Sequence, residues 1–280
     1  MGRIRRGWEL TKKSWGVLRA HRSLIRFPLY GGVAAIALTI IVMGPGLYLI
    51  DDGELAPGAP LVVLGVYLLA FVGTYFGVAL AAAADLIFRG EEASVGDGMA
   101  VARSRLPQIA GWSALAATVG VVLGVLENQG GVLGSVVARV LNVGWTLVTF
   151  LAVPVIAIEG TSGFATLRRS GAIFKERWGQ QITGNLAIGG AVFLLGMLPA
   201  ILLVVAGVAL WSTSGFGGAI LVAVGVILFT IAALISQALS GIFGVALYRY
   251  ATQGEALGGF TPAELDSAVR RKGGPAPAPA

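Results

Sequence analysis

The chain has 280 residues, 56% of them hydrophobic and only 12% charged, with a mean hydropathy of +0.84. That balance excludes an ordinary soluble domain, and the long uncharged apolar runs behind it read as membrane spans. The net charge of +6 would suit nucleic acid, but the bases flank apolar runs, which fits anionic lipid headgroups and not nucleic acid.

Cysteine is absent, which removes disulfides, thiol nucleophiles and thiolate metal sites. The single histidine, His21, rules out any site needing two imidazoles from one chain. The first 26 residues are charged and helical in pattern, with no small-residue cleavage site after the apolar run that follows, so the first span is expected to be retained.

Taken in order, the chain opens on an amphipathic segment. Ile4, Trp8, Thr11, Trp15 and Leu18 recur in steps of three and four, while Arg5, Arg6, Glu9, Lys12, Lys13 and Arg19 fall mostly elsewhere on the wheel. Span one is Phe27–Ile50, followed by an acidic loop with Asp51, Asp52 and Glu54, and span two is Pro60–Ala84. A second amphipathic stretch carries Val95, Met99, Ala102 and Leu106 beside Arg103 and Arg105. Span three is Pro107–Leu126 and span four Val132–Ile158. A third amphipathic stretch has Phe164, Leu167, Gly171, Phe174 and Trp178 among Arg168, Arg169, Lys175 and Arg177. Span five is Ile182–Leu210 and span six Gly218–Tyr248. Each run has about the 20 residues needed to cross some 30 Å of hydrocarbon as a helix.

All of the 20 Lys and Arg residues except Arg139 fall on one side of this arrangement, and the opposite loops hold only acidic charge. The positive-inside rule makes the basic side cytoplasmic and puts both termini there. The expected fold class is therefore all-α: a polytopic transmembrane helical bundle of six spans with three short amphipathic interfacial helices. The chain then reads as a threefold unit of interfacial helix, span, outer loop and span; plain basic loops are the alternative to interfacial helices. Residues 1–250 form the membrane domain, 251–272 a cytoplasmic segment and 273–280 a disordered tail. Thr261, Pro262 and Glu264 have the pattern of a helix start in that segment.

The opening GWELTKKSWGVLRAHRSLIRFPL, the run VPVIAIEGTSGFATLRRSGAIFKERWGQQITGN and the six-span layout resemble an uncharacterised bacterial and archaeal group of integral membrane proteins that carries a domain-of-unknown-function label. In style the layout is similar to the membrane domains of some glycerophosphodiester phosphodiesterases and to Yip1-like proteins. The resemblance implies a fold and a location, and no activity or catalytic residue.

Arg139 is the one charge inside an expected span. It lies about 10 Å from the outer end of span four, close enough to snorkel outward or to pair with Glu127 or Asp51. Arg139, Asn142, Thr146 and Thr149 share a face, a polar stripe that either lines a pathway or hydrogen-bonds between helices. Asp85 and Glu159 follow the inner ends of spans two and four, where a carboxylate opposes the helix dipole and calls for a basic partner such as Arg168 or Arg169. Gly73 with Gly77, Gly120 with Gly124, and Gly130 with Gly134 have the spacing of close helix contacts.

No set of nucleophile, acid and base appears, no metal-ligand spacing and no phosphate loop, so no enzyme chemistry and no cofactor are expected. The expected role is membrane organisation, with anionic headgroups contacted by Arg5, Arg6, Lys12, Lys13, Arg168, Arg169, Lys175 and Arg177, and with a membrane protein or a second copy as further partner. A transporter or channel using the span-four stripe is the rival.

Overall fold

The computed structural model describes residues 3–129, 131–178, 197–211, 214–263 and 265, which are helical almost throughout with no strand among them. Helix α1 is Arg3–Ala20. A 3₁₀ turn at Arg22–Ile25 leads into α2 (Arg26–Leu38), a π-helical segment at Thr39–Met43 and α3 (Gly44–Asp51). Pro45 has no N–H to offer the carbonyl one turn back, and the π segment just before it absorbs the mismatch without breaking the rod. After a turn at Gly53, α4 (Leu55–Phe88) runs 34 residues, about 51 Å at 1.5 Å per residue.

Helix α5 (Val95–Ser104) is followed by α6 (Leu106–Gln129), α7 (Gly131–Thr149), α8 (Ala152–Glu159) and α9 (Gly163–Trp178). Helices α10 (Leu198–Leu210) and α11 (Gly215–Gln253) complete the order. Four rods are long and apolar enough to cross a membrane: Arg22–Asp51, Leu55–Phe88, Leu106–Asn128 and Gly215–Gln253. Helix α10 is apolar but shorter, and residues 182–196 of the expected fifth span lie outside the described residues.

The expected fourth span is not one helix. It divides at Phe150 and Leu151, where Leu151 sits at φ −94°, ψ 4°. Pro154 explains the break, because it cannot donate to the carbonyl of Phe150. The loose end of α7 is satisfied from another element: Ser170 Oγ of α9 donates to the Val148 carbonyl at 2.5 Å.

The core lies at one end of the bundle. Val78 to Asp85 of α4 are all buried, as are Leu151, Ala152, Val155, Ile156 and most of 238–250 in α11. The run Ala81–Ala84 makes this possible, since side chains no larger than methyl let α5, α6, α8 and α11 approach α4 together. Gly98 of α5 is the tightest point: a Cβ there would meet the Ala79 carbonyl oxygen and come within 2.7 Å of Phe27 Cζ. Phe260 and Leu265 of the C-terminal segment are buried in a second cluster with Phe243, Ile173 and Phe174.

Away from this core the helices run in antiparallel pairs, α3 with α4, α6 with α7 and α10 with α11. Their outward faces expose Ile40, Ile41, Val63, Val122, Val143, Val205 and Ile227. One close backbone approach in such a pair is Gly207 to Gly218, where a Cβ on either residue would fall within 2.8 Å of the other's carbonyl. Of the glycines singled out by spacing, Gly73, Gly120 and Gly124 face open space; Gly77 meets Val153, and Gly134 meets the Leu126 carbonyl. Gly130 lies outside the described residues. Spacing alone found the close contact of Gly134 but not those of Gly98, Gly207 and Gly218, because small-xxx-small pairs arise by chance in a chain with 42 glycines.

Candidate functional site at the basic end

Helices α1, α5 and α9 and the last turns of α4, α8 and α11 meet at the core end, which also gathers most of the described basic residues. Two carboxylates are fixed there. Asp85 receives a two-pronged bond from Arg249, Nε to Oδ1 at 2.6 Å and Nη2 to Oδ2 at 2.7 Å, with Arg89 Nε 3.5 Å away. Arg249 Nη1 also donates to Gln253 Oε1 at 2.7 Å. Glu159 accepts from Arg169 Nε on both oxygens at 2.9 Å and from the Tyr248 hydroxyl at 2.7 Å.

Adjacent residues of α11, Tyr248 and Arg249, thus tie its core end to α8 and to α4. The expectation that each carboxylate has a basic partner is met for Glu159 by Arg169. The partner of Asp85 is Arg249, which is 164 residues away in sequence. Neither Tyr248 nor Arg249 was singled out from the sequence; an arginine near the end of a long apolar helix was the available signal.

The faces that α1, α5 and α9 turn toward the bundle take in only part of the apolar stripes: Leu18, Ala102 and Phe174 are buried, and Val95, Met99 and Leu167 pack against the core. In α1 Ser14 and Leu18 are buried and Trp15 is exposed; in α9 Thr166, Ser170, Ile173 and Phe174 are buried and Phe164 is exposed. In α5 the buried residues are Gly98 and Ala102, and Leu106 beyond it is exposed. Small and hydroxyl side chains pack inward because the helices cross their neighbours closely, and Thr166 and Ser170 find partners in Thr161 and the Val148 carbonyl. Helix α5 begins with a reciprocal cap that the sequence reading missed, although Ser-x-x-Asp announces it. Asp97 Oδ2 accepts from the Ser94 amide at 2.9 Å and its hydroxyl at 2.7 Å, and the Asp97 amide donates back at 3.2 Å. These bonds from Ser94 hold the Asp97 carboxyl below the usual aspartate range.

Lys12, Arg168 and Lys175 are exposed and Lys13 is half-buried. Arg169 is committed to Glu159, and the side chains of Arg5, Arg6 and Arg177 lie outside the described residues. Arg139 and Asn142 are exposed on α7, and Arg139 makes no ion pair with Glu127, Asp51 or any other described residue. Thr146 and Thr149 donate to the carbonyls of Asn142 and Trp145 in their own helix, at 2.8 and 2.7 Å. Among the described residues no group of three His, Cys, Asp or Glu is placed to hold a metal.

An all-helical bundle with four rods able to cross a membrane, closed at one end by the buried Asp85–Arg249 pair and the more exposed Glu159–Arg169 pair, defines the class of this protein as one compatible with a membrane protein. The chain belongs to the family of unknown function DUF6159, whose model matches residues 58–259. No curated protein and no solved structure matches it.

Proposed function

We propose that this is a multi-pass protein of the cell membrane, with six spans and both termini cytoplasmic, that organises anionic lipid or partner proteins at the inner leaflet without enzymatic chemistry. One observation carries the reading: helices α1 and α9, and the first residue of α6 just after α5, each leave a large apolar side chain outside. Trp15 is 44%, Leu106 41% and Phe164 71% exposed, each within a few residues of exposed bases such as Lys12, Arg103 and Arg168. An apolar anchor beside cations is what a helix lying at headgroup level presents. The pairing of the outer helix halves supports the threefold unit of helix, span, loop and span, with α7 and α8 together making the fourth crossing.

In the rival reading the stripe of Arg139, Asn142, Thr146 and Thr149 lines a transport path. The two threonines are bonded to their own helix, and the other two residues are exposed on the outside of α7, so less supports it.

The test is the lipid that stays with the full-length protein through mild-detergent purification. Replacing Trp15, Phe164, Arg168 and Lys175 with Ser, Ser, Gln and Gln is expected to lower the ratio of anionic to zwitterionic lipid several-fold, with retained helicity. An unchanged ratio overturns the interfacial mechanism. Solute flux in liposomes that disappears with Arg139→Leu and Asn142→Leu would favour the transporter instead.

A further inference from the structure

Helix α1 packs mainly against α11, with Ser14 and Leu18 buried. Between its last two turns and the end of α4 lies an open groove of about 470 Å³. Helix α1 lines it with Lys13, Gly16 and Val17, His21 follows at the turn, α4 contributes Ile87 and Phe88, and the C-terminal segment contributes Gly258. The chain leaves α1 at His21, at φ −119° and ψ 72°, with the His21 amide donating to the Val17 carbonyl at 2.9 Å. Gly258 has φ +67° and rests on the ring of Phe88, where a Cβ would come within 2.7 Å of Cε1. Glycine is therefore required there by conformation and by space. Phe260 and Leu265, buried just beyond, hold the segment in place as a wall of the groove.

The lining divides by chemistry. Lys13 brings a cation, and His21 an imidazole N–H that donates whether or not the ring is charged. Exposed Arg19 and Arg22 lie within two residues of His21. Val17, Ile87 and Phe88 are half-buried and apolar, and no carboxylate is among the described residues of the lining. Helix C-termini favour cations, which would oppose an anion here. That opposition is weak, because the carbonyls of Asp85, Leu86 and Ile87 already accept from the amides of Arg89, Gly90 and Glu91, and Val17 from His21. A cation and a donor beside an apolar wall suit an amphiphile with an anionic head. The volume lies in the range of small-molecule sites, about 300–1,000 Å³, and an inorganic anion would leave the apolar wall uncovered.

We propose that this groove seats one anionic phospholipid. Lys13 and His21 donate to the phosphate oxygens, while Val17, Ile87 and Phe88 cover the glycerol and the first acyl carbons. With no carboxylate in the lining to receive an ethanolamine or choline cation, the groove selects a headgroup such as phosphatidylglycerol over a zwitterionic one. The proposal rests on the reading above that this end lies at the inner leaflet. It narrows that reading from lipid contact along three helices to one lipid in one seat.

The experiment uses the full-length protein without a histidine tag, in mild detergent, titrated with phosphatidylglycerol or phosphatidylcholine. Native mass spectrometry counts bound lipid, and nitrogen-15 NMR reads His21, the single histidine of the chain. Wild type is expected to keep one phosphatidylglycerol per chain, and its imidazole signals to move with phosphatidylglycerol and not with phosphatidylcholine. Lys13→Gln with His21→Gln is expected to lower that occupancy about tenfold or more. Gly16→Leu changes no charge and fills the groove from a position with open space around its Cβ. It is expected to displace the lipid while leaving the helix as stable or more so, which separates loss of the site from loss of the fold. The fourfold variant at Trp15, Phe164, Arg168 and Lys175 is expected to keep this single lipid. If it does so with an unchanged overall lipid ratio, the groove stands and the broader interfacial mechanism falls. Equal occupancy by the two lipids, no retained lipid, or occupancy insensitive to both the double variant and Gly16→Leu overturns the site.

Discussion

Replacing Arg249 with Met tests whether the basic end is held by its ion pairs. The side chains of Asp85 and Arg249 are 8% and 11% exposed, and the contact has two charge-assisted bonds at 2.6 and 2.7 Å. Removing the arginine strands a carboxylate among the alanines of α4, a change that costs about 3–5 kcal/mol when a buried pair is broken on one side. Arg89 lies 3.5 Å from Asp85 on a half-exposed side chain and can partly take over, which places the expected loss near the lower end, about 3 kcal/mol. Asp85→Leu with Arg249→Met removes both charges at similar volume and is expected to lie within about 1 kcal/mol of wild type. The measurement is equilibrium unfolding of the full chain in mixed SDS micelles, read by far-UV circular dichroism. If the single variant loses less than about 1 kcal/mol, or if the double variant is no better than the single, the pair does not hold the helices together.

Three further outcomes follow from the same geometry. Tyr248→Phe deletes one bond to Glu159 while Arg169 keeps its two, so the same unfolding assay should show a loss of about 1–2 kcal/mol. Gly98→Ala must push α5 off the Ala79 carbonyl and is expected to cost about 1–3 kcal/mol, whereas Gly120→Ala, facing open space in α6, should be neutral or stabilise by up to about 1 kcal/mol. The capping carboxylate Asp97 has its folded pKa below the unfolded value, so its contribution is complete above the unfolded aspartate range, about pH 4, and is lost as pH falls through the lower folded value. Asp97→Asn should therefore flatten the acid limb of a stability profile of the full chain, and a limb of unchanged slope would remove Asp97 from the cause.

The helical class, the rods able to cross a membrane and the clustering of bases were legible from hydropathy and charge, because both are properties of consecutive residues. The need of Glu159 for a basic partner was legible too, since a carboxylate at a helix C-terminus is unfavourable wherever the helix packs. The partner of Asp85 was not, because 164 residues separate it from Arg249 and only the packing of α11 on α4 joins them. Helical periodicity placed α1 and α9 and their apolar stripes, but not which side chains of each helix would meet protein. A hydrophobic stripe predicts the face that avoids water, and with lipid nearby the face that avoids water need not be the one that meets protein. Ser14, Thr166 and Ser170 turn inward because close helix crossings favour small side chains there, while Trp15 and Phe164 stay outside. The sequence by itself therefore determined which segments are helical and where charge is tolerated. The tertiary structure alone decided which end forms the core, where the fourth apolar run divides, and how Gly258 comes to rest on Phe88, because each depends on groups that meet only when distant segments pack.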